Sequence, residues 1–594
     1  MTDRRLLDQA LAELAGNPEQ REAVFERGHC VVLAGPGSGK TKTLTTAMAR
    51  ALVEDVTEPR GIACITYNNE CALELENRLA RLGIEPSERV FIGTVHSFAV
   101  SQVIAPYARC VLPELKNGFR VASREECRQS VETAFHTTIA GRENPHWRWR
   151  FAEDKRRRHV DRTSPEWQGQ NPELAAFIEA YEADLRRRGL IDFDDMPLLA
   201  FRMIQANPWI QRSLWARFPI LFIDEYQDLG HALHELVLKL CFEAGMRLFA
   251  VGDGDQSIYA FIGANPELLL SLAEREDVRD IHLRLNYRSG TKIVDASMAA
   301  LGEERGYESV DGAAEGGIFF RGIDGDLDAQ ANHIINTIIP DLQQREIQLQ
   351  EIAILYRDAT QGNHVAAAAM AADLPIVRAD KEALVRRGSR LSRWIEASAA
   401  WVAGGWKDGN PRFQRLTREA VGLVLGSGAS REERQTIEVE MITFLHSSID
   451  KAHTANTWLK ALRDELIQPW KARARTVDDD WLVIDEMISK TEPLSANGDT
   501  SLAHFSGRID GSGRLNLSTL HSAKGREFDA VILFAMNRDI IFTYQERQRA
   551  ASLREARRLF YVGVTRARAE LYLLYKKGEH SRLVKDLYDR TRAH

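Results

Sequence analysis

The 594-residue sequence predicts an α/β fold built on parallel sheets, and three observations predict it. An apolar run, Val31-Val32-Leu33-Ala34, leads directly into a glycine-rich loop, Gly35-Pro36-Gly37-Ser38-Gly39-Lys40-Thr41. A second apolar run, Pro219-Ile220-Leu221-Phe222-Ile223, ends on Asp224-Glu225-Tyr226-Gln227-Asp228. Further strand-like runs, Ile352-Ala353-Ile354-Leu355-Tyr356 and Ala530-Val531-Ile532-Leu533-Phe534, stand apart from long stretches of helical periodicity. Short continuous apolar runs of this kind mark strands covered by helices on both faces.

The first run carries a phosphate-binding loop. Glycines let the backbone turn tightly, so that its N–H groups face the phosphates of a nucleotide. Lys40 can reach the β- and γ-phosphates, and the Thr41 hydroxyl can ligate Mg²⁺. From Thr41 onward the chain reads as a helix whose positive end faces the anion. The loop, Ala34 through Thr41, is therefore the expected nucleotide cradle, with Ala34 standing where the strict pattern has glycine.

The second run delivers acids at the carboxyl end of a strand, where ligands bind in open parallel sheets. Asp224 can hold Mg²⁺ beside Thr41, and Glu225 can orient and deprotonate the attacking water. The two motifs together predict nucleoside-triphosphate hydrolysis. Such chemistry needs cations for the transition state. Two candidates lie far apart: Arg288 in Leu285-Asn286-Tyr287-Arg288-Ser289, and Arg566 in Tyr561-Val562-Gly563-Val564-Thr565-Arg566. An arginine supplied from a second domain would make hydrolysis depend on domain closure.

Composition excludes several classes. Hydrophobic residues make up 44% and charged residues 27%, as in globular rather than disordered chains. The six cysteines form no CxxC pair, which argues against zinc and a disulfide framework. No apolar run reaches the ~18 residues of a membrane span, and the N-terminus lacks a signal-peptide core. A cytoplasmic protein with no membrane partner is expected. The net charge of −7 argues against indiscriminate coating of DNA but leaves room for local basic patches. Lys155-Arg156-Arg157-Arg158-His159 and Arg186-Arg187-Arg188 are two such runs, read as phosphate-neutralising clusters or solvated helix faces.

Further strings make a family visible. They are Asn17-Pro18-Glu19-Gln20, Thr66-Tyr67-Asn68-Asn69, Gly93-Thr94-Val95-His96-Ser97-Phe98, and Gly252-Asp253-Gly254-Asp255-Gln256-Ser257-Ile258-Tyr259. Thr519-Leu520-His521-Ser522-Ala523-Lys524-Gly525-Arg526-Glu527-Phe528 and Glu555-Ala556-Arg557-Arg558-Leu559-Phe560-Tyr561 follow. In this order, with the phosphate loop and the acidic strand, they resemble superfamily 1 helicases of the UvrD/Rep/PcrA type from about residue 17 to the C-terminus. The resemblance implies that Gln20 reads the adenine edge and Tyr287 stacks on the base. It implies that Gln256, Arg288 and Arg566 touch the γ-phosphate, and Glu527 the ribose. Tyr67, Thr94, His96, Tyr259, Phe261 and His521 become candidates for stacking or phosphate contact with DNA. The implied cofactors are ATP and Mg²⁺, and the implied partners are single-stranded and tailed duplex DNA.

The order of motifs implies two RecA-like P-loop domains with parallel sheets, each interrupted by a mostly helical insertion. The first core is expected over 1–99 and 190–276, interrupted by 100–189. The second is expected over 277–378 and 510–594, interrupted by 379–509, in which Trp394, Trp401, Trp406, Trp458, Trp470 and Trp481 pack helices together. Asn497-Gly498-Asp499 and Asp510-Gly511-Ser512-Gly513 read as turns at its exit.

The chain departs from the family's pattern in places. Phe261-Ile262 stands where Trp-Arg is usual, Glu70 follows Asn69 where Lys is common, and Arg526 stands where Leu is common. None touches the hydrolytic set. The second insertion is short, and the chain stops soon after its last motif, so no C-terminal nuclease or partner-binding tail is expected. This reduced form resembles helicases that act with a separate nuclease, such as the helicase half of Gabija-type phage-defence systems. A free-standing DNA-repair helicase is the other reading of the same features. Two functions follow: a motor moving 3′-to-5′ on single-stranded DNA, or a nucleotide- or DNA-end-sensing regulatory subunit that does not unwind.

Overall fold

The computed structural model describes residues 4–592, except 85–86, 140, 170, 260–262, 381, 386–388, 410, 427–428, 450–453, 475–480, 493–499, 507–512 and 539–549. The chain divides into two compact units: Met1–Arg288 with Glu304–Ala313, and Ser289–Glu303 with Ala314–His594. Each is built on a six-stranded sheet whose pairings are all parallel.

The first sheet contains β1 (His29–Ala34), β2 (Ile62–Thr66), β3 (Val90–Thr94), β6 (Ile220–Ile223), β7 (Arg247–Gly252) and β8 (Val278–Leu283). Its order is β3-β2-β6-β7-β1-β8. Alternate residues point to opposite faces. Val31, Ile65 and Leu221 enter one apolar layer with the helices that follow β3 and β6, while Val32, Cys64 and Phe222 enter the other with helix Lys40–Arg50. Two short strands between β3 and β6, β4 (Arg120–Val121) and β5 (Leu190–Ile191), pair in parallel.

The expected boundary between the cores needs correction here. Residues 278–283 were assigned to the second core, but β8 pairs along its whole length with β1, from His29↔Val278 to Ala34↔Leu283. As an edge strand it buries only Val278, Ile281 and Leu283, so it lacks the continuous apolar run of a central strand. The first unit continues through Arg288 and takes back 304–313, where β10 (Glu308–Ser309) pairs with β9 (Leu285–Asn286).

The second sheet runs β11-β16-β15-β12-β14-β13. Its strands are β11 (Gly317–Ile323), β12 (Ile352–Tyr356), β13 (Ile376–Ala379), β14 (Leu515–Thr519), β15 (Phe528–Leu533) and β16 (Ala567–Lys576). Between β13 and β14 the described residues are helical around a separate apolar core. Trp394 and Trp470 meet there at 5.3 Å, and Trp401, Trp458 and Trp481 are buried with them. Trp406 is the exception at 40% exposure, covered in part by the Lys407 ammonium. The expected turn at Asn497-Gly498-Asp499, and Asp510-Gly511-Ser512 of the other, lie outside the described residues.

The insertion of the first unit has its own small core, formed by Val131, Phe135, Trp167, Phe177 and Tyr181. Residues 98–115 pack instead into the main core through Phe98, Val103, Ile104 and Leu115. The two basic runs are largely consumed by this subdomain. Arg156 is fully buried and bonds Glu182 (2.9 Å), Asp192 (2.6 Å) and Asp195 (2.5 Å), while Arg186 reaches Asp195 at 2.8 Å. Arg157 pairs with Asp194, Arg158 with Asp154, and Arg187 with Asp184. Reading Arg156 and Arg186 as phosphate-neutralising groups is therefore wrong: the sequence shows their charge, not the three acids that enclose them. Arg156→Met should cost about 3–5 kcal/mol, because three carboxylates lose their shared partner inside the protein. A denaturant melt checks this, and the variant's salt dependence of DNA binding should be unchanged.

Candidate nucleotide and DNA site

A parallel sheet sends every strand's C-terminal loop to the same edge, and the candidate residues of the first unit gather there. The adjacent strands β6, β7 and β1 carry the acids, Gln256 and the phosphate loop; β2 beside them and the edge strand β3 carry Tyr67, Thr94 and His96.

In the loop after β1, Gly37 and Gly39 have φ of 72° and 82°, a region that side chains rarely adopt. A Cβ on Gly39 would lie 2.4 Å from the Gln20 amide nitrogen. Gln20 donates to the Ser38 carbonyl at 2.8 Å, and the Ser38 hydroxyl donates to the Gly35 carbonyl. Helix Lys40–Arg50 starts at once, so its unpaired N–H groups face the loop. The Lys40 ammonium lies under the loop, 3.0 Å from the carbonyls of Ala34 and Gly35 and 3.7 Å from Asp253.

Asp224 leaves the end of β6 with its N–H bonded to the Ile65 carbonyl, and it is buried. Burial first, and the neighbouring Glu225 second, push its carboxyl up to about 8 against the pull of Lys40. Glu225 has a left-handed backbone at φ 51°, and its carboxylate accepts from the Gln227 amide at 2.5 Å. Gln256 donates to Asp253 at 2.6 Å. Burial raises Asp253 too. Asp224 and Glu225 stand side by side, and Lys40 draws on both Asp224 and Asp253. Thr41 and Asp224 are the residues that could hold Mg²⁺ here, since a divalent cation would balance the neighbouring carboxylates.

Asn17 joins Gln20 to Tyr287. Its side-chain oxygen caps helix Pro18–Phe25 by accepting from the Gln20 N–H, and its amide donates to the Tyr287 hydroxyl at 2.8 Å. Tyr287 is 49% exposed, and its backbone N–H bonds the Gly37 carbonyl. Asn286 donates to the Pro36 carbonyl at 2.8 Å. Arg288 follows directly beside the loop, where a Cβ on Gly37 would come within 2.8 Å of its own. Arg288 was expected from the second core; it belongs to the same unit as Lys40, because β8 holds it there.

The candidate DNA residues pair among themselves. Tyr67 and Tyr259 stack at 4.7 Å and 21°. His96 stacks at 3.7 Å on Phe193, which is 60% exposed. The Thr94 hydroxyl caps the short helix Val95–Phe98 by accepting from the Ser97 N–H, so it is already engaged. Phe261 lies outside the described residues.

Arg566, Glu527 and His521 belong to the second unit. The Arg566 guanidinium is buried and donates to the carbonyls of Val562 and Arg526 and to the Thr565 hydroxyl. Glu527 is exposed just before β15. His521, in the turn after β14, is held below the usual imidazole value by burial and then by Arg357.

Sequence reading missed four residues that the geometry makes prominent. Phe193 lies at the start of the segment that returns to the first core and carried no expected role. Asp253 and Gln227 stood in motifs as unassigned letters. Tyr307 had no signal at all; a Cβ on Gly35 would lie 2.6 Å from its ring, and Arg305 beside it makes a two-pronged pair with Asp255 at 2.7 and 2.9 Å.

One pH effect follows from the His96–Phe193 stack. Burial pushes His96 down to about 4, with Asp194 pulling the other way. The unfolded chain takes up this proton near 6.5 and the folded chain only near 4. Stability from the neutral ring is thus complete above about 6.5 and falls as pH drops towards 4. His96→Gln should narrow the difference in melting temperature between pH 7 and pH 5, measured by calorimetry.

Comparison with known families agrees with this geometry. Residues 16–277 match the UvrD/REP helicase N-terminal domain, and residues 490–578 match the UvrD-like helicase C-terminal domain. The chain is 26% identical to the ATP-dependent DNA helicase PcrA of Leuconostoc citreum, over 97% of this chain and 83% of that protein. It is 24% identical to the ATP-dependent DNA helicase Rep of Buchnera aphidicola, over 94% of each. It is 26% identical to DNA helicase II of Escherichia coli, over 97% of this chain and 86% of that protein. With both halves of the family's pattern in order, and a phosphate loop, acidic strand and paired aromatics on one sheet edge, the chain belongs to the UvrD-like helicase family and is an ATP-hydrolysing enzyme of that class.

Proposed function

We propose that the chain is an ATP- and Mg²⁺-dependent DNA helicase that moves 3′-to-5′ along single-stranded DNA and separates duplexes. One observation carries the reading: a single sheet edge holds Lys40, Asp224, Glu225, Asp253 and Gln256 beside the stacked aromatics Tyr67–Tyr259 and His96–Phe193. Glu225 orients the attacking water and takes its proton, Lys40 meets the β- and γ-phosphates, and Mg²⁺ held by Thr41 and Asp224 neutralises developing charge. Arg288 and Arg566 are assigned to the γ-phosphate, Gln20 and Tyr287 to the base, and Glu527 to the ribose. Aromatic faces suit a motor because they hold any base and release it again. Phe193 joins Tyr67, His96, Tyr259, Phe261 and His521 in that role.

The short second insertion supports work beside a separate nuclease, as in phage defence; a free-standing DNA-repair helicase is the other reading of the same feature. A cytoplasmic enzyme without a membrane partner fits the composition, and no helix among the described residues is long and apolar enough to cross a membrane.

A strand-displacement assay on 3′-tailed, 5′-tailed and blunt duplexes, with ATPase measured in parallel, tests the reading. The 3′-tailed substrate should be opened and single strands should accelerate hydrolysis; DNA-stimulated ATPase without displacement would favour the regulatory alternative. Glu225→Gln should keep ATP binding and lose turnover by about 10²–10⁴-fold. Lys40→Ala should weaken nucleotide binding itself, because it removes the cation that faces the phosphates. Equilibrium binding of a fluorescent ATP analogue, beside steady-state turnover, separates the two.

A further inference from the structure

The acidic strand carries a residue to which the reaction, as described so far, gives no task. Gln227 is fully buried, and its amide faces two ways. The Nε2 group donates to the Glu225 carboxylate at 2.5 Å. The Oε1 atom accepts from the backbone N–H of Asp253 at 2.9 Å. Its own carbonyl accepts from the Ser257 hydroxyl at 3.1 Å. Gly252 makes room for this arrangement, since a Cβ there would stand 2.6 Å from Gln227 Oε1. The side chain therefore joins the acid after β6 to the start of the loop after β7, while the backbone carbonyl of the same residue holds the other end of that loop's first turn.

The loop has two outputs. Gln256, bonded to Asp253, is assigned to the γ-phosphate, and Tyr259 stacks on Tyr67. Glu225 also needs a restraint of its own: its left-handed backbone is uncommon for a residue with a Cβ, and surrounding structure must hold it.

We infer that Gln227 is a positioning residue that holds Glu225 and ties its orientation to the loop from Asp253 to Tyr259, so that DNA bound against Tyr259 is felt at the hydrolytic carboxylate. The inference rests on the proposed role of Glu225.

Gln227→Glu separates the two halves of the tie. A glutamate can still accept from the Asp253 N–H, but it cannot donate to Glu225 and it repels it. Gln227→Met keeps the volume and removes both bonds. ATPase kcat and KM, with and without oligo-dT, should be measured for both, with melting temperature alongside. Both variants should lose DNA-stimulated kcat by about tenfold or more, with KM for ATP within about twofold of wild type. Adding either change to Glu225→Gln should cost no further turnover, because the two side chains act as a unit.

Wild-type DNA-stimulated kcat in both variants, with Glu225→Gln inactive, would overturn this inference and leave the role of Glu225 standing. Near wild-type turnover in Glu225→Gln would overturn that role instead, and this inference with it. A fall in kcat matched by an equal loss of ATP affinity, or by early melting in both variants, would make Gln227 merely structural and would also overturn it.

Discussion

Everything functional in the first unit depends on the parallel pairing of β6, β7 and β1. With Ile223 opposite Ala250, and Leu33 opposite Gly252, the three strands end within a few residues of one another. Phosphate loop, acids and coupling loop then leave the sheet side by side although nearly two hundred residues separate the first from the second. An antiparallel neighbour would have sent one of the three loops to the far edge. The apolar layers on both faces have their functional meaning in this: they fix the register, and the register brings Lys40, Asp224 and Asp253 within one cluster.

The cluster is electrostatically unbalanced. Asp224 and Asp253 both draw on Lys40, Glu225 adds its charge beside Asp224, and burial lifts both aspartates. Lys40 meanwhile turns to the carbonyls of its own loop and to Asp253. Such a site resists being filled by protein groups alone and favours a nucleotide with its metal, because the phosphates offer Lys40 a stronger partner and the cation relieves the acids. The insertion is the opposite case. Arg156 and its acids are mutually satisfied, so their charge serves the packing of the subdomain and adds little to any field felt by DNA.

How far the sequence could be read depended on whether a residue's task was local. The phosphate loop and the acidic strand were legible because strand, turn and charge are consecutive. β8 was not, because an edge strand shows water one face and loses its apolar run; with it went the unit that holds Arg288. The basic runs were misread for a related reason: Arg156 meets Glu182, Asp192 and Asp195 only after the chain has folded back through a helix. Phe193 and Tyr307 are legible only in three dimensions, the first through His96 and the second through Gly35. Gln227 stood in plain view within the acidic motif, but nothing in one dimension gives its amide two partners.

The stacked aromatics bear on how binding could be felt at a distance. The Tyr67–Tyr259 contact covers one face of each ring, so a base reaches those two faces only by displacing the other ring. Aromatic pairs of this kind are worth about 0.5–1.5 kcal/mol beyond the area they bury. A base stacked on an aromatic ring returns about 1–3 kcal/mol. The exchange is therefore favourable but not by much, which is what a site that must bind and release a strand requires. Tyr67 follows β2 and cannot move far without disturbing a strand buried along its whole length. Tyr259 ends the loop that also carries Gln256 and begins at Asp253. Tyr259 stands on a loop instead of at a strand end, so a shift of its ring is taken up by the loop whose first N–H is held by Gln227.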